Sequence, residues 1–151
     1  MSICFEEGHI DLLKEIVLLN HSIFEGMYEH EPYSLEQYQE RLSTVKPIIY
    51  IAKSDNQIVG NAISFEKEGS LYLWILGVSK QFRNQGIGSK LLDLTEQFAK
   101  DNGIGSVTTK VYNVSTEMLR LLLKRGYNFV KIEEHNSNSK YNAIHLRLEL
   151  R

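Results

Sequence analysis

Apolar residues recur along this chain at two spacings, every second position in some stretches and every third or fourth in others, which separates strands from helices. Ile3 to Phe5 reads as a short strand. Ile10, Leu13, Ile16 and Val17 then open a helix that runs towards Phe24. Ser34-Leu35-Glu36-Gln37 has the form of a capping box, and Leu35, Tyr38, Leu42 and Val45 keep helical spacing after it. Ile48 to Ala52 and Ile58 to Phe65 read as strands about a Ser54-Asp55-Asn56-Gln57 turn, and Glu68-Gly69-Ser70 turns the chain again into Leu71 to Val78. These form an antiparallel meander. Ile87, Leu91, Leu94 and Phe98 mark one face of a helix that stops at Asp101-Asn102-Gly103, before the β-branched stretch Ser106 to Tyr112. The length of that helix makes it a crossover. A further helix from about Ser115 ends at Lys124-Arg125-Gly126, with basic residues at its negative end and a glycine cap. Tyr127 to Glu133 and Tyr141 to Leu150 complete the chain as strands around Asn136-Ser137-Asn138-Ser139. In the last, Ile144, Leu146, Leu148 and Leu150 alternate with His145, Arg147 and Glu149, so one face is buried and the other wet.

The junction Val78-Ser79-Lys80-Gln81-Phe82-Arg83-Asn84-Gln85-Gly86-Ile87-Gly88-Ser89 joins an apolar strand to a helix. Gly86 and Gly88 carry no Cβ, so a ligand can approach the backbone, and the first N–H groups of the helix have no intrahelical acceptors. With the helix dipole and Arg83 beside them, these donors suit a phosphate. The dinucleotide fingerprint fails, because Leu91 stands where a third small residue is needed. The nucleotide-triphosphate loop fails too, because Gly88-Ser89-Lys90 has the wrong order. The segment resembles the signature of the GNAT family of N-acetyltransferases, an Arg or Gln followed by x-x-Gly-x-Gly/Ala after a strand ending in Val. Val78, Arg83, Gly86 and Gly88 all fit. The element order β-α-α-β-β-β-α-β-α-β-β is also that family's, which extends the resemblance over nearly the whole chain. It implies an α/β (α+β) fold with a mixed central sheet of about seven strands, in a single domain over residues 1–151.

The resemblance implies acetyl-CoA as co-substrate, lying between the fourth and fifth strands where a bulge in the fourth parts them, near Leu76-Gly77-Val78. Main-chain groups of Leu76 and Val78 would then pair with the pantetheine, and Arg83, Asn84, Gln85, Gly86, Ile87, Gly88 and Ser89 would surround the pyrophosphate. Gly77 breaks the apolar run, as a bulge, a close backbone contact or a packing glycine would. Gly126-Tyr127 ends the family's next motif. Its usual Asn falls at Ser115, with Asn113 two residues early, and its usual thiol-facing Tyr falls at Leu122, whose own reading is a core residue. Asn113 and Ser115 are therefore carried as cofactor-binding positions.

Acetyl transfer to an amine needs a group, or a water chain leading to one, that takes the ammonium proton. The family often places a carboxylate on the fourth strand, at a position occupied here by Tyr72. An unperturbed tyrosine pKa of ~10 makes Tyr72 a poor base, so it either orients water or packs. Strand parity puts Tyr72, Trp74 and Leu76 on one face, provided the bulge lies no earlier. Glu66 is a second candidate, acting through water, or else an exposed strand-end charge. Lys110 stands where the branch acting on ribosomal-protein N-termini carries a Glu, so that specificity is not assigned.

For the acceptor, the loop Glu25-Gly26-Met27-Tyr28-Glu29-His30-Glu31-Pro32-Tyr33 concentrates three carboxylates and two tyrosines. Glu25, Tyr28, Glu29 and Tyr33 could receive a cation from a small-molecule or peptide amine, or the loop is a solvated connector. A net charge of −2 argues against a broad nucleic-acid surface. No His/Cys cluster has zinc spacing, so no metal is expected. Cys4, the only cysteine, reads as a small buried hydrophobe near a strand and excludes an internal disulfide. No apolar stretch reaches the ~18 residues of a membrane helix, and the N-terminus lacks a signal pattern. The expectation is a cytoplasmic protein, with a homodimer left open. Two functions remain: an acetyl-CoA-dependent N-acetyltransferase, or a non-catalytic acyl-CoA-binding sensor or assembly module of the same fold.

Overall fold

A computed structural model describes residues 2–150. The strands are β1 (Cys4–Glu7), β2 (Ile48–Ser54), β3 (Gln57–Lys67), β4 (Ser70–Val78), β5 (Ser106–Tyr112), β6 (Asn128–Glu133) and β7 (Ala143–Glu149). The helices are α1 (Leu13–Phe24), α2 (Leu35–Leu42), α3 (Ile87–Asp101) and α4 (Thr116–Lys124). The strands form one open sheet in the order β1-β2-β3-β4-β5-β7-β6. Every neighbouring pair is antiparallel except β4 and β5. The parallel pair needs a crossover, and α3 supplies it.

Local chemistry accounts for the ends of these elements. The Ser34 hydroxyl accepts from the Gln37 N–H at 3.2 Å while the Gln37 side chain accepts from the Ser34 N–H at 2.8 Å, the reciprocal box read from the sequence. Asp55 and Asn56 both have positive φ, so a two-residue turn links β2 to β3 with the twist a hairpin needs. The helix expected to reach Val45 stops at Leu42.

Two cores lie on opposite faces of the sheet. Leu13, Ile16, Val17, Tyr38 and Leu42 of α1 and α2 pack on Ile49, Ile51, Ile63, Phe65 and Ile75. On the other face, Ile87, Leu91 and Leu92 of α3 and Leu122 of α4 pack on Leu71, Leu73, Val107 and Leu146. Arg125, after α4, reaches Glu96 of α3 at 2.8 Å and Asp93 at 2.6 Å, and the buried Tyr127 donates its hydroxyl to Glu96 at 2.8 Å. Tyr127 therefore anchors the end of α4 to α3. Two positions differ from their sequence reading. Cys4 is exposed on the edge strand β1. β6, at the other edge, is exposed along its length, because neither layer of helices reaches over it. Among the described residues no helix is long and apolar enough to cross a membrane.

Candidate active site

Strands β4 and β5 pair only from Leu71 to Leu73, opposite Val107 to Thr109. Beyond that point β4 is bonded to β3, and β5 to β7. The cause is a bulge: Ile63 faces Ile75 and Ser64 faces Leu73, so Trp74 is an extra residue in β4. Where the strands part, the Thr109 hydroxyl donates to the Leu73 carbonyl at 2.9 Å and closes the last shared rung. The gap opens towards the N-terminus of α3. There Gly86 is the N-cap, with φ +78° and no side-chain capping bond, and the first helical bond runs from the Lys90 N–H to the Gly86 carbonyl at 3.0 Å. The N–H groups of Ile87, Gly88 and Ser89 precede that bond and are free of it. Positive φ at Asn84 and Gly86 turns the loop, and Arg83 Nε donates to the Val78 carbonyl at 3.3 Å.

The bulge lies two residues earlier than its expected place at Leu76-Gly77-Val78, and this changes which side chains share a face. Tyr72, Trp74 and Ile75 pack with the α1–α2 core, whereas Leu76 and Val78 pack with the α3–α4 core. Tyr72, Trp74 and Leu76 therefore do not share a face. Gly77 has a different explanation from a bulge. A Cβ there would come within 3.1 Å of both Asn20 Oδ1 and Ile23 Cδ1, so glycine lets α1 lie close against β4.

Over the open face above Tyr72 and Trp74 runs a connected series of rings. Tyr28 lies 5.0 Å from Tyr112 and 5.9 Å from His30, centroid to centroid. His30 stacks on Tyr33 at 5.4 Å, and Tyr33 stacks on Trp74 at 6.0 Å. The loop between α1 and α2 is fastened across the gap. The hydroxyls of Tyr28 and Ser115 are 3.2 Å apart, and the Glu29 carboxylate meets His135 Nε2 at 2.8 Å. A cavity of about 240 Å³ is left between Tyr28, Glu29, His30, Tyr112, His135 and Tyr141. Burial raises the Tyr72 hydroxyl above its ordinary pKa, with Arg41 opposing and Tyr33, Tyr112 and Glu133 adding to the rise. Burial raises Tyr28 as well, against the Ser115 hydrogen bond.

Other sequence candidates are dispersed. Glu66 pairs with Leu71, whose side chain lies in the α3–α4 core, so it points to the face opposite Tyr72 and is exposed at the strand end. Asn113 braces a loop, its amide donating to the Ser139 carbonyl at 3.2 Å and its N–H to the Asn142 carbonyl at 2.8 Å. Glu25 caps the end of α1 and is exposed. Leu122 is buried in the core, as its own reading held. Sequence reasoning missed the His145–Glu133 pair on the wet side of the last hairpin. The His145 hydrogen bond, with its charge, holds the exposed Glu133 carboxyl below the usual range. The alternation in the last strand marked His145 as solvent-facing, but its partner lies on another strand.

The model of the "Acetyltransferase (GNAT) family" matches residues 13–127. No curated protein sequence matches the chain. Among solved structures, the ribosomal-protein-S18-alanine N-acetyltransferase from Escherichia coli superposes with TM-score 0.84 at 14% identity, over 98% of this chain and 94% of that one. A GNAT-family acetyltransferase from Staphylococcus aureus Mu50 gives 0.81 at 18% identity, over 99% and 100%. A GNAT-family acetyltransferase from Elizabethkingia anophelis, with acetyl-CoA bound, gives 0.74 at 21% identity, over 98% of both chains.

Proposed function

This chain belongs to the GNAT family of acetyltransferases, and from that premise we propose that it binds acetyl-CoA in the gap between β4 and β5 and acetylates a primary amine. The observation that carries the reading is the helix α3 N-terminus, uncapped by any side chain, at the mouth of a gap where two parallel strands separate. Backbone donors at Ile87 to Ser89 suit a pyrophosphate, and the unpaired edge of β4 from Ile75 to Val78 suits amide groups. When bound, acetyl-CoA supplies a thioester whose carbonyl carbon is open to attack by an amine.

The chain's own residues must bind the amine, free its lone pair and exclude bulk water. Tyr72 keeps its proton at neutral pH, since its pKa is raised, so it acts as a hydrogen-bond donor that orients water. The ammonium proton leaves through that water to His145, which lies on the same sheet face by the pairing of Tyr72 with Thr108 and of Lys110 with His145, accepts it as a neutral imidazole and becomes the charged partner of Glu133. The Tyr28–Ser115 hydroxyl pair stands at the start of α4 and serves as a proton donor in place of the tyrosine that Leu122 replaces. Thiol release from acetyl-CoA across a panel of amines tests the reading; release that never exceeds the rate without acceptor favours the non-catalytic binding module. The core position of Leu122 is what keeps that second reading open.

Tyr72→Phe should lower turnover number and specificity constant together by about 10-fold, a part of the ~10²–10⁴ that acid–base groups supply, and leave acetyl-CoA affinity unchanged. The ring stays and only the hydroxyl goes. Unchanged kinetics would make Tyr72 a packing residue. The acidic loop gives a smaller effect. Neutralising Glu25, Glu29 and Glu31 as Gln should raise the acceptor KM by about 2–5-fold at low salt, the range of exposed charge pairs, and flatten its salt dependence. Wild-type kinetics in that variant would leave the loop a solvated connector.

A further inference from the structure

A second cavity lies on the same open face, beside Trp74, and its chemistry is opposite to that of the acidic loop. It measures about 250 Å³ and is lined by Tyr33, Gln37, Glu40, Arg41 and Trp74. The Arg41 guanidinium sits 5.4 Å from the Trp74 ring centroid and 5.8 Å from that of Phe65. Among the described residues no carboxylate makes an ion pair with it, Glu40 of the same cavity included. A guanidinium held against aromatic rings keeps its N–H groups for a planar, bidentate acceptor.

We propose that this cavity binds a carboxylate, so that the acceptor is an amine that also carries one: an amino acid or an acidic peptide. The inference deepens the acetyl-transfer reading and rests on it for the fate of the amine, but not for the binding site. Trp74 is the bulged residue at which β4 leaves β5, so a group held on its indole sits beside the opening of the gap. Tyr33 stacks on both Trp74 and His30, which joins this cavity to the one lined by Glu29, Tyr28 and Tyr112. A zwitterion laid across Tyr33 would have its carboxylate at Arg41 and its ammonium towards the carboxylate-bearing loop. Glu40 on the wall opposes a doubly charged anion and so favours a carboxylate over a phosphate. Lys67, 4.8 Å from the Tyr72 ring centroid, adds a second positive charge to this face.

Trp74 is the only tryptophan of the chain and lines this cavity, so its fluorescence reports on binding there and needs neither acetyl-CoA nor turnover. Free amino acids, their α-amides, and dipeptides containing Asp or Glu against their Asn or Gln counterparts are titrated into the protein. The expected result is a saturable change in Trp74 emission with the acids and binding at least about 10-fold weaker for the matched amides, the loss of one charge-assisted bidentate contact. Arg41→Gln should erase that difference. Arg41→Lys should recover part of it, because charge returns without the fork. A response to free amino acids assigns the α-carboxylate, and a response to the acidic dipeptides beyond their amide counterparts assigns a side-chain carboxylate. Equal affinity for acids and amides, no response to any acid, or an undiminished preference in Arg41→Gln overturns the proposal. An acid-selective response without acetylation of those ligands keeps the carboxylate site but overturns its assignment to the acceptor, whereas thiol release that never exceeds the acceptor-free rate with any amine sinks the acetyl-transfer reading instead.

Discussion

Gly88→Glu should remove acetyl-CoA binding from a domain that remains folded. Gly88 is the second residue of α3, and a Cβ there would make only ordinary contacts, 3.6 Å from Leu121 Cδ2 and 3.9 Å from Val78 Cγ2. An acidic residue in the first turn of a helix is favoured by the dipole by ~0.3–1 kcal/mol, so the substitution does not oppose α3. The same carboxylate competes for the N–H groups of Ile87 to Ser89 and repels a pyrophosphate brought to them. Loss of those contacts together with like-charge repulsion is expected to weaken affinity by about 100-fold or more, equivalent to ~3 kcal/mol. Gly88→Ala adds a methyl group without charge and should stay close to wild type. Calorimetry with acetyl-CoA, alongside circular dichroism and thermal melting of each variant, separates loss of binding from loss of fold. Undiminished affinity in folded Gly88→Glu would show that the loop from Arg83 to Ser89 does not hold the pyrophosphate.

Features written in adjacent residues were legible, and features assembled from distant ones were not. The Ser34–Gln37 box, the Asp55-Asn56 turn and the Gly86 start of α3 each depend on a few consecutive residues whose backbone preferences are local. The bulge at Trp74 was misplaced because β4 reads Leu71-Tyr72-Leu73-Trp74-Ile75-Leu76 without a polar residue, so no alternation shows where the pleat slips. That one-residue slip sends Leu76 to the opposite face from Tyr72. Glu66 takes its face from pairing with Leu71, which leaves it the exposed strand-end charge that was one of its two readings. Glu29 and His135, or Tyr28 and Ser115, meet only because the loop between α1 and α2 folds over the gap towards the last hairpin and the start of α4. The Cys4 expectation failed because β1 has only one neighbouring strand and lies at the margin of the sheet.

Asn61→Ala should be among the most damaging of the small truncations in the α1–β4 region, for reasons that no local pattern shows. Asn61 is 0% exposed and Asn20 1%, and their side-chain amides bond reciprocally, from Asn61 Nδ2 to Asn20 Oδ1 at 2.7 Å and back to Asn61 Oδ1 at 3.2 Å. Asn20 Nδ2 also donates to the buried Tyr38 hydroxyl at 3.0 Å, so α1, α2 and β3 meet at one polar knot. Burial pushes the Tyr38 hydroxyl up to about 12, with the Asn20 hydrogen bond opposing, so that it stays protonated throughout the neutral range. Truncating Asn61 leaves a void and removes both partners of the Asn20 amide from within the β3 side of the knot. Together, unsatisfied buried polar groups at ~1–3 kcal/mol each and the cavity give an expected loss of about 3 kcal/mol. Asn20→Ala alone should cost a similar amount, yet the double variant should cost less than the sum by ~1 kcal/mol or more, since the second truncation removes a group already orphaned. Urea unfolding of the four proteins measures this. Asn61 also faces Gly77 across β3 and β4, and Asn20 Oδ1 is the atom that a Cβ at Gly77 would crowd. The knot therefore holds α1 against the strand segment bordering the gap, so the single variants should weaken acetyl-CoA binding even under conditions where they are fully folded. Additive costs below ~1 kcal/mol each, with acetyl-CoA affinity unchanged, would mean that apolar packing of Ile16 and Ile23 fixes α1 without the amides.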